Sequence, residues 1–289
     1  MNTVLRSRSG SVTIGSGQPF CVIGERINPT GRKKFAEELR AGDRSTVTVD
    51  ALAQAQAGAN MVDVNAGIPL VDEPELLKSM LRTVQDAIDL PICIDSSVIE
   101  ALEAGLSVYE GRALVNSVTA EDERLNEILP LVARHGAAVI GLANDETGIP
   151  ETPAKRLECA RKIVAAANDH GIATEDVIID PLAMTVGADT EAVTTTLDTI
   201  RLIRSELGVN MCLGASNVSF GLPDRHVLNA SFLPMAMAAG LTSAIMSTAQ
   251  VCVDAVRAAD LLLGHDAWGA SWIAAHRARK AEAQAAAVS

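Results

Sequence analysis

The segment IGERINPT (23–30) ends an apolar run by delivering a carboxylate, a guanidinium and an amide: Glu25, Arg26 and Asn28. Six later apolar runs end in a similar way. They lead to Asp63, Asn65 and Gly67; Asp95 and Ser96; Asn116 and Ser117; Asn144 and Asp145; Asp180; and Ser216, Asn217 and Ser219. A polar side chain in such surroundings is tolerated only with hydrogen-bonding partners. Capping of a following helix is one use, and Asp95-Ser96, Ser117 and Ser216 are expected candidates. Capping does not cover all seven runs, because Asn and Asp precede the expected caps by a residue or more.

Asn and Asp dominate this set, and no histidine, cysteine or lysine stands among the run ends. The five histidines (His135, His170, His226, His265, His276) fall in helical stretches or at their starts. The pattern therefore argues against a catalytic transition metal, a Schiff-base lysine and a thiol nucleophile. Asp95, Asn116 and Asp180 suit a flat heterocycle carrying ring N–H, exocyclic amino and carbonyl groups. A carboxylate accepts two parallel hydrogen bonds from an amidine-like edge, and an amide donates and accepts at once. The spacing alone does not name the ring.

The elements that must position these residues follow from the apolar patterning. Short, unalternating, β-branched runs read as strands buried on both faces. They lie at 20–24, 60–65, 91–95, 113–117, 137–142, 176–180, 210–216 and 243–247. Helical patterns separate them at 46–57, 73–88, 97–106, 122–135, 152–169, 189–207, 228–239 and 250–264, with a short extra helix at 32–41. Eight strands alternating with eight helices predict an α/β protein, a single (β/α)8 TIM barrel spanning 18–268. A doubly wound open sheet is the competing architecture, but no GxGxxG follows the first strand. Residues 1–17 read as an N-terminal extension and 269–289 as an Ala-rich C-terminal tail.

The chain has 289 residues, of which 48% are hydrophobic, enough for a large core. Its net charge of −12 argues against nucleic acid or an anionic membrane surface as the main partner. Five widely separated cysteines, with no CxxC, suit a reduced core, and neither a signal peptide nor an eighteen-residue apolar run is found. The expectation is a cytoplasmic protein.

Six motifs carry a resemblance: IGERIN (23–28), DVNAG (63–67), IDS (94–96), VNS (115–117), IDP (179–181) and GASNVSFGLP (214–223). In this order, each at an expected strand end, they resemble the pterin-binding methyltransferases. That family includes corrinoid-dependent methyltetrahydrofolate methyltransferases and the folate-binding module of cobalamin-dependent methionine synthase. The resemblance runs from about Val22 to Ala249. It implies that Asp95, Asn116 and Asp180 bind the pterin and that Asn217 hydrogen-bonds N5 of the folate during methyl transfer. Ser216, Glu25 and Asn65 join the implied substrate-binding set. Such proteins are (β/α)8 barrels, usually homodimers, that pass a methyl group between methyltetrahydrofolate and the cobalt of a separate corrinoid protein. Phe220 stands where the acetogenic enzymes look to carry a polar residue; the SNVSF form is nearer the methionine-synthase module and some demethylation-type enzymes.

Two other activities compete. Dihydropteroate synthase shares the barrel and several carboxylates, but would open with an NxTPDSF-like loop where this chain reads INPTGRKK, and would carry a late basic pair. A non-enzymatic folate-binding protein would have little use for Asn217. The chain shows no DxHxxG-type loop for a corrinoid, so cobalamin is expected to come from a partner protein, with no metal held by this chain. The loops after the first, sixth and seventh barrel strands are expected to stay mobile without that partner.

Overall fold

The computed structural model describes residues 1–286. The chain opens with an antiparallel hairpin, β1 (Asn2–Arg6) and β2 (Ser11–Gly15). Eight parallel strands follow: β3 (Cys21–Ile27), β4 (Met61–Asn65), β5 (Ile92–Asp95), β6 (Leu114–Thr119), β7 (Ala138–Leu142), β8 (Val177–Asp180), β9 (Asn210–Gly214) and β10 (Ser243–Met246). They close into a barrel in sequence order, with β10 pairing back onto β3. Helices α1 (Lys33–Arg40) and α2 (Ser45–Ala57) follow β3. One helix then follows each later strand: α3 (Glu73–Ala87), α4 (Ile99–Val108), α5 (Asp122–His135), α6 (Pro153–Asp169), α7 (Ala192–Glu206), α8 (Arg225–Ala239) and α9 (Gln250–Leu262). The expected (β/α)8 barrel is therefore found, with each expected strand and helix shifted by only a few residues.

Two apolar layers hold it together. Val22, Val62, Ile94, Val115 and Ile179 point outward into the layer between sheet and helices. Their alternates Ile23, Met61, Cys93, Leu114, Ile140 and Ile178 fill the barrel interior. Because side chains alternate along a strand, continuing that inward parity upward carries Glu25, Asp63, Asn65, Asp95, Asn116 and Asp180 to the interior. Apolar residues fill the lower barrel, and polar ones occupy its C-terminal mouth.

Residues 1–17 are more than an extension, because their hairpin closes the opposite end. Leu5 and Ile14 are fully buried and pack in one cluster with Cys21, Met61 and Cys212 of the barrel interior. Asn210, at the start of β9, donates to Thr3 Oγ1 at 3.0 Å and to Ile14 O at 2.8 Å. Arg112 adds paired backbone bonds with Arg6 and donates Nη1 to Val4 O at 2.9 Å. A charge-patterned stretch such as VLRSRSGSVTIG hides its two inward residues from any single-face reading, because each strand contributes only one or two of them.

The Ala-rich C-terminal segment folds as α10 (Ala270–Ala286), and Arg279 pairs with Asp254 of α9. Residues 287–289 of the expected tail lie outside the described residues. No helix among the described residues is long and apolar enough to cross a membrane.

Candidate active site

The mouth is built in register. Asn65, Asp95 and Asn116 are lateral neighbours on β4, β5 and β6, so three polar side chains stand at one level of the barrel. Asn65 Nδ2 donates to Asp95 Oδ2 at 2.9 Å, while Asn65 Oδ1 accepts from Gly67 N at 2.8 Å. The Asn65 amide is thus fixed at both ends and orients the Asp95 carboxyl. Asn116 Nδ2 reaches down to Asp63 Oδ1 at 3.2 Å.

Asp63 sits two residues below Asn65 on the same inward face and is 3% exposed. Burial, then the neighbouring Asp95 charge, hold its carboxyl well above the usual carboxylate range. Burial also pushes Asp95 up, to about 6, with Glu73 adding repulsion and the Asn65 hydrogen bond opposing the rise. Two carboxyls in one dry pocket resist ionising together, and the Asp95 charge adds to burial in opposing ionisation of Asp63.

Asp180 ends β8, facing the same interior. Burial pushes it to about 7, against a backbone hydrogen bond from Leu182 and the charge of Arg156. Its Oδ1 accepts Leu182 N at 2.7 Å. Leu182 adopts φ 65, a left-handed conformation costly for a branched side chain. Buried Arg156 holds that turn from behind, donating Nη1 to Pro181 O at 2.9 Å and to Leu182 O at 2.8 Å. A strained turn thus fixes the Asp180 carboxyl in a short loop rather than leaving it free to rotate.

A second cluster crosses from β9 to β3. Ser216, in a 3₁₀ turn (Ala215–Ser219), donates to Glu25 Oε1 at 2.9 Å. Asn229 Nδ2 donates to Ser216 Oγ at 3.2 Å, and its Oδ1 accepts Ser219 Oγ at 2.7 Å. Arg225 completes the net, with Nη2 to Ser216 O at 2.7 Å. Burial raises the Glu25 carboxyl above its ordinary range, opposed first by the Ser216 bond and then by the Arg225 charge. Asn217 lies on the same turn, exposed, with Nδ2 3.0 Å from where a Cβ on Gly214 would stand. Its side chain makes no hydrogen bond within the described residues, so its amide is uncommitted while its backbone is held.

The strand-end residues divide into two uses. Arg26 faces outward: a register shift between Gly24 and Ile27 inserts an extra residue in β3, and Arg26 Nε pairs with Asp50 at 3.7 Å. Gln54 of α2 fixes the bulge by accepting from Arg26 N at 2.8 Å, over a Gly24 whose missing Cβ leaves it room. Asn28 and Asp145 serve local turns, accepting from Thr30 N and Thr147 N. None of the expected caps closes a helix. Ser96 accepts from Val98 N at 3.0 Å in the turn before α4, and α4 and α5 both start without a side-chain cap, so Ser117 caps nothing. Asp95 and Ser216 turn to Asn65 and Glu25. Sequence reasoning placed Asp63 at a strand end but outside the site set, and it passed over Arg156, Arg225 and Asn229. The DVN alternation was the available signal for Asp63. The other three come from helices α6 and α8, whose approach only the fold reveals.

Comparisons with known proteins bear on the family and the fold. The chain is 34% identical over 252 residues, 85% of its own length and 92% of the relative's, to a methylcorrinoid:tetrahydrofolate methyltransferase of Eubacterium limosum. It is 36% identical over 246 residues to a methionine synthase of Mycobacterium leprae, of which it spans only 20%. Among solved structures, it resembles 7,8-dihydropteroate synthase from Vibrio fischeri (TM-score 0.70, 16% identity, covering 91% of this chain and 98% of that one). It also resembles a Xanthomonas albilineans dihydropteroate synthase (TM-score 0.70, 19% identity, 91% and 99%). Those two likenesses bear on the fold alone. The pterin binding enzyme family model matches residues 24–247, from the β3 bulge to the end of β10, and this chain belongs to that family.

Proposed function

We propose that this protein is a methyltransferase that moves a methyl group between N5 of methyltetrahydrofolate and the cobalt of a separate corrinoid protein. The observation that carries the reading is the uncommitted amide of Asn217, exposed beside a mouth lined by Asp95, Asn116 and Asp180. The similarity to a methylcorrinoid:tetrahydrofolate methyltransferase over 92% of that protein's length supports it.

Asp180 accepts from the pterin's N3–H and 2-amino edge, since two lone pairs on one carboxylate match two parallel donors. Asp95, steadied by Asn65, and Asn116, steadied by Asp63, meet the remaining ring nitrogens and carbonyl. Glu25 and Ser216 brace the turn that carries Asn217. The corrinoid, held by its own protein, supplies the methyl donor or acceptor.

The chemical difficulty lies at N5. A tertiary amine leaves poorly, so N5 needs a proton or a strong hydrogen bond while its C–N bond breaks. Asn217 cannot give up a proton, but its amide flips between accepting from protonated N5 and donating to the lone pair. Solvent at the exposed mouth supplies the proton. A homodimer working in the cytoplasm belongs to the same reading.

The test is an anaerobic assay that follows the absorbance of reduced cobalamin after methyltetrahydrofolate is added to the purified protein. Methyl transfer is the expected result. No spectral change, together with condensation of a pterin pyrophosphate with p-aminobenzoate in a parallel assay, would replace the reading with the synthase.

A further inference from the structure

Asn217 is the exposed middle of a turn whose flanks are buried: Ala215, Val218 and Ser219 of the 3₁₀ turn are shielded from solvent. In a 3₁₀ turn, side chains three residues apart eclipse, so Ser216 and Ser219 face the same way and Asn217 points about a third of a turn aside. Both hydroxyls end on one side chain of α8. Asn229 Nδ2 donates to Ser216 Oγ at 3.2 Å, and Asn229 Oδ1 accepts from Ser219 Oγ at 2.7 Å. Asn229 is 3% exposed, and Phe232, Leu233 and Ala236 of the same helix are buried in the core. It is therefore a fixed point against which the turn is held.

An amide has one donating end and one accepting end, and the turn uses both. Ser216 gives its own proton to Glu25 Oε1 at 2.9 Å, so its oxygen needs the donating end. Ser219 gives its proton to the accepting end, while Arg225 Nε donates to the Ser219 oxygen at 3.2 Å. Reversing the amide would set its oxygen against Ser216 Oγ with no proton between them. The clamp thus admits one rotation of the turn, with one bond on either side of Asn217. We propose that Asn229 is a positioning residue for methyl transfer, whose hold on Ser216 and Ser219 sets the direction in which the Asn217 amide meets N5. This inference rests on the methyltransferase reading of Asn217 given under Proposed function.

A mutant cycle tests this, read as single-turnover methyl transfer to reduced cobalamin at saturating methyltetrahydrofolate. Asn229→Leu, of similar size, should slow transfer about ten- to a hundredfold, as misplacing a reacting group does. Folate affinity should stay within about twofold, because the chemical step and not binding is affected. In the Asn217→Ala background the same change should cost less than about twofold, since residues acting as a unit are not additive. Ser219→Ala removes one arm of the clamp and should slow transfer about three- to tenfold, with the same loss of effect beside Asn217→Ala. It carries the test alone if Asn229→Leu does not fold. Isotope labelling of asparagine nitrogen gives a second readout by magnetic resonance. The Asn217 side-chain signal, assigned by its loss in Asn217→Ala, should move when tetrahydrofolate is added to the wild type and fail to move in the clamp variants. Full-rate transfer by a folded clamp variant, equal losses in both backgrounds, loss of folate affinity alone, or an unchanged response of the Asn217 signal overturns the inference and leaves the methyltransferase reading standing. No methyl transfer by the wild type overturns both.

Discussion

Asn116 Nδ2 donates to Asp63 Oδ1 at 3.2 Å inside the barrel, so a buried carboxyl that never meets solvent decides which way an amide at the mouth faces. With Nδ2 turned down, Asn116 presents its carbonyl oxygen upward. Burial and the Asp95 charge both oppose ionisation of Asp63, so its hydrogen bond rather than its charge is what orients Asn116. Asp63→Asn should therefore leave folate affinity within about threefold. Asp63→Ala, which frees the Asn116 amide to rotate, should weaken binding by about tenfold, as expected for a lost buried hydrogen bond. Titration of both variants with tetrahydrofolate checks the difference, and equal losses would show that charge matters.

Asp180 predicts a pH dependence of binding. Its carboxyl lies at about 7 in the free protein, and the pterin edge requires the ionised form. Folate affinity should level off above about pH 8 and fall by about fivefold from pH 7 to pH 6 as protonation competes. Asp180→Asn should bind ten- to a hundredfold more weakly at pH 8. It should also lose the dependence.

The same group predicts an opposite effect on stability. A carboxyl raised in the folded state contributes stability that is complete below its unfolded value and is lost as pH rises through about 7. At pH 8 the ionised Asp180 costs the fold on the order of a few kcal/mol. Asp180→Asn keeps an acceptor for Leu182 N and carries no charge, so it should melt higher than the wild type at pH 8. At pH 4 the two should melt alike. A variant less stable than the wild type at pH 8 and equal to it at pH 4 would mean that Arg156 needs the charge more than the burial penalises it.

Asn217→Ala should lower the single-turnover rate of methyl transfer by about a hundredfold or more, the usual loss for one preorganised polar group. Folate affinity should change far less, because the pyrimidine edge is held elsewhere. A variant that lost affinity alone would remove Asn217 from the transition state.

The hairpin should act on stability and not on the site. Leu5→Ala removes a fully buried side chain from the barrel floor and should cost about 2–5 kcal/mol. Denaturant unfolding measures that loss, and folate affinity below the transition should match the wild type because the mouth lies at the other end of the barrel.

Much of this architecture was present in the order of residues. Eight β-branched runs could only be strands buried on both faces, and helices of matching length between them left a closed parallel barrel as the economical arrangement. Period-two alternation then sent Asp95, Asn116 and Asp180 inward, and the fold makes them face one space. What the chain alone could not decide is how those groups are wired. Strand register set Asn65 beside Asp95 and Asn116 above Asp63. A bulge in β3 separated Glu25 from Arg26, sending one to Ser216 and the other to the surface. Arg156, Arg225 and Asn229 approach from the neighbouring helices α6 and α8, and a polar hairpin supplied the barrel floor through two inward residues. Local sequence carries periodicity because each residue's neighbours along a strand are fixed by covalent geometry. It does not carry partners between distant segments, because hydrogen bonds and burial energies there depend on which surfaces closure of the barrel brings within about 3 Å of one another.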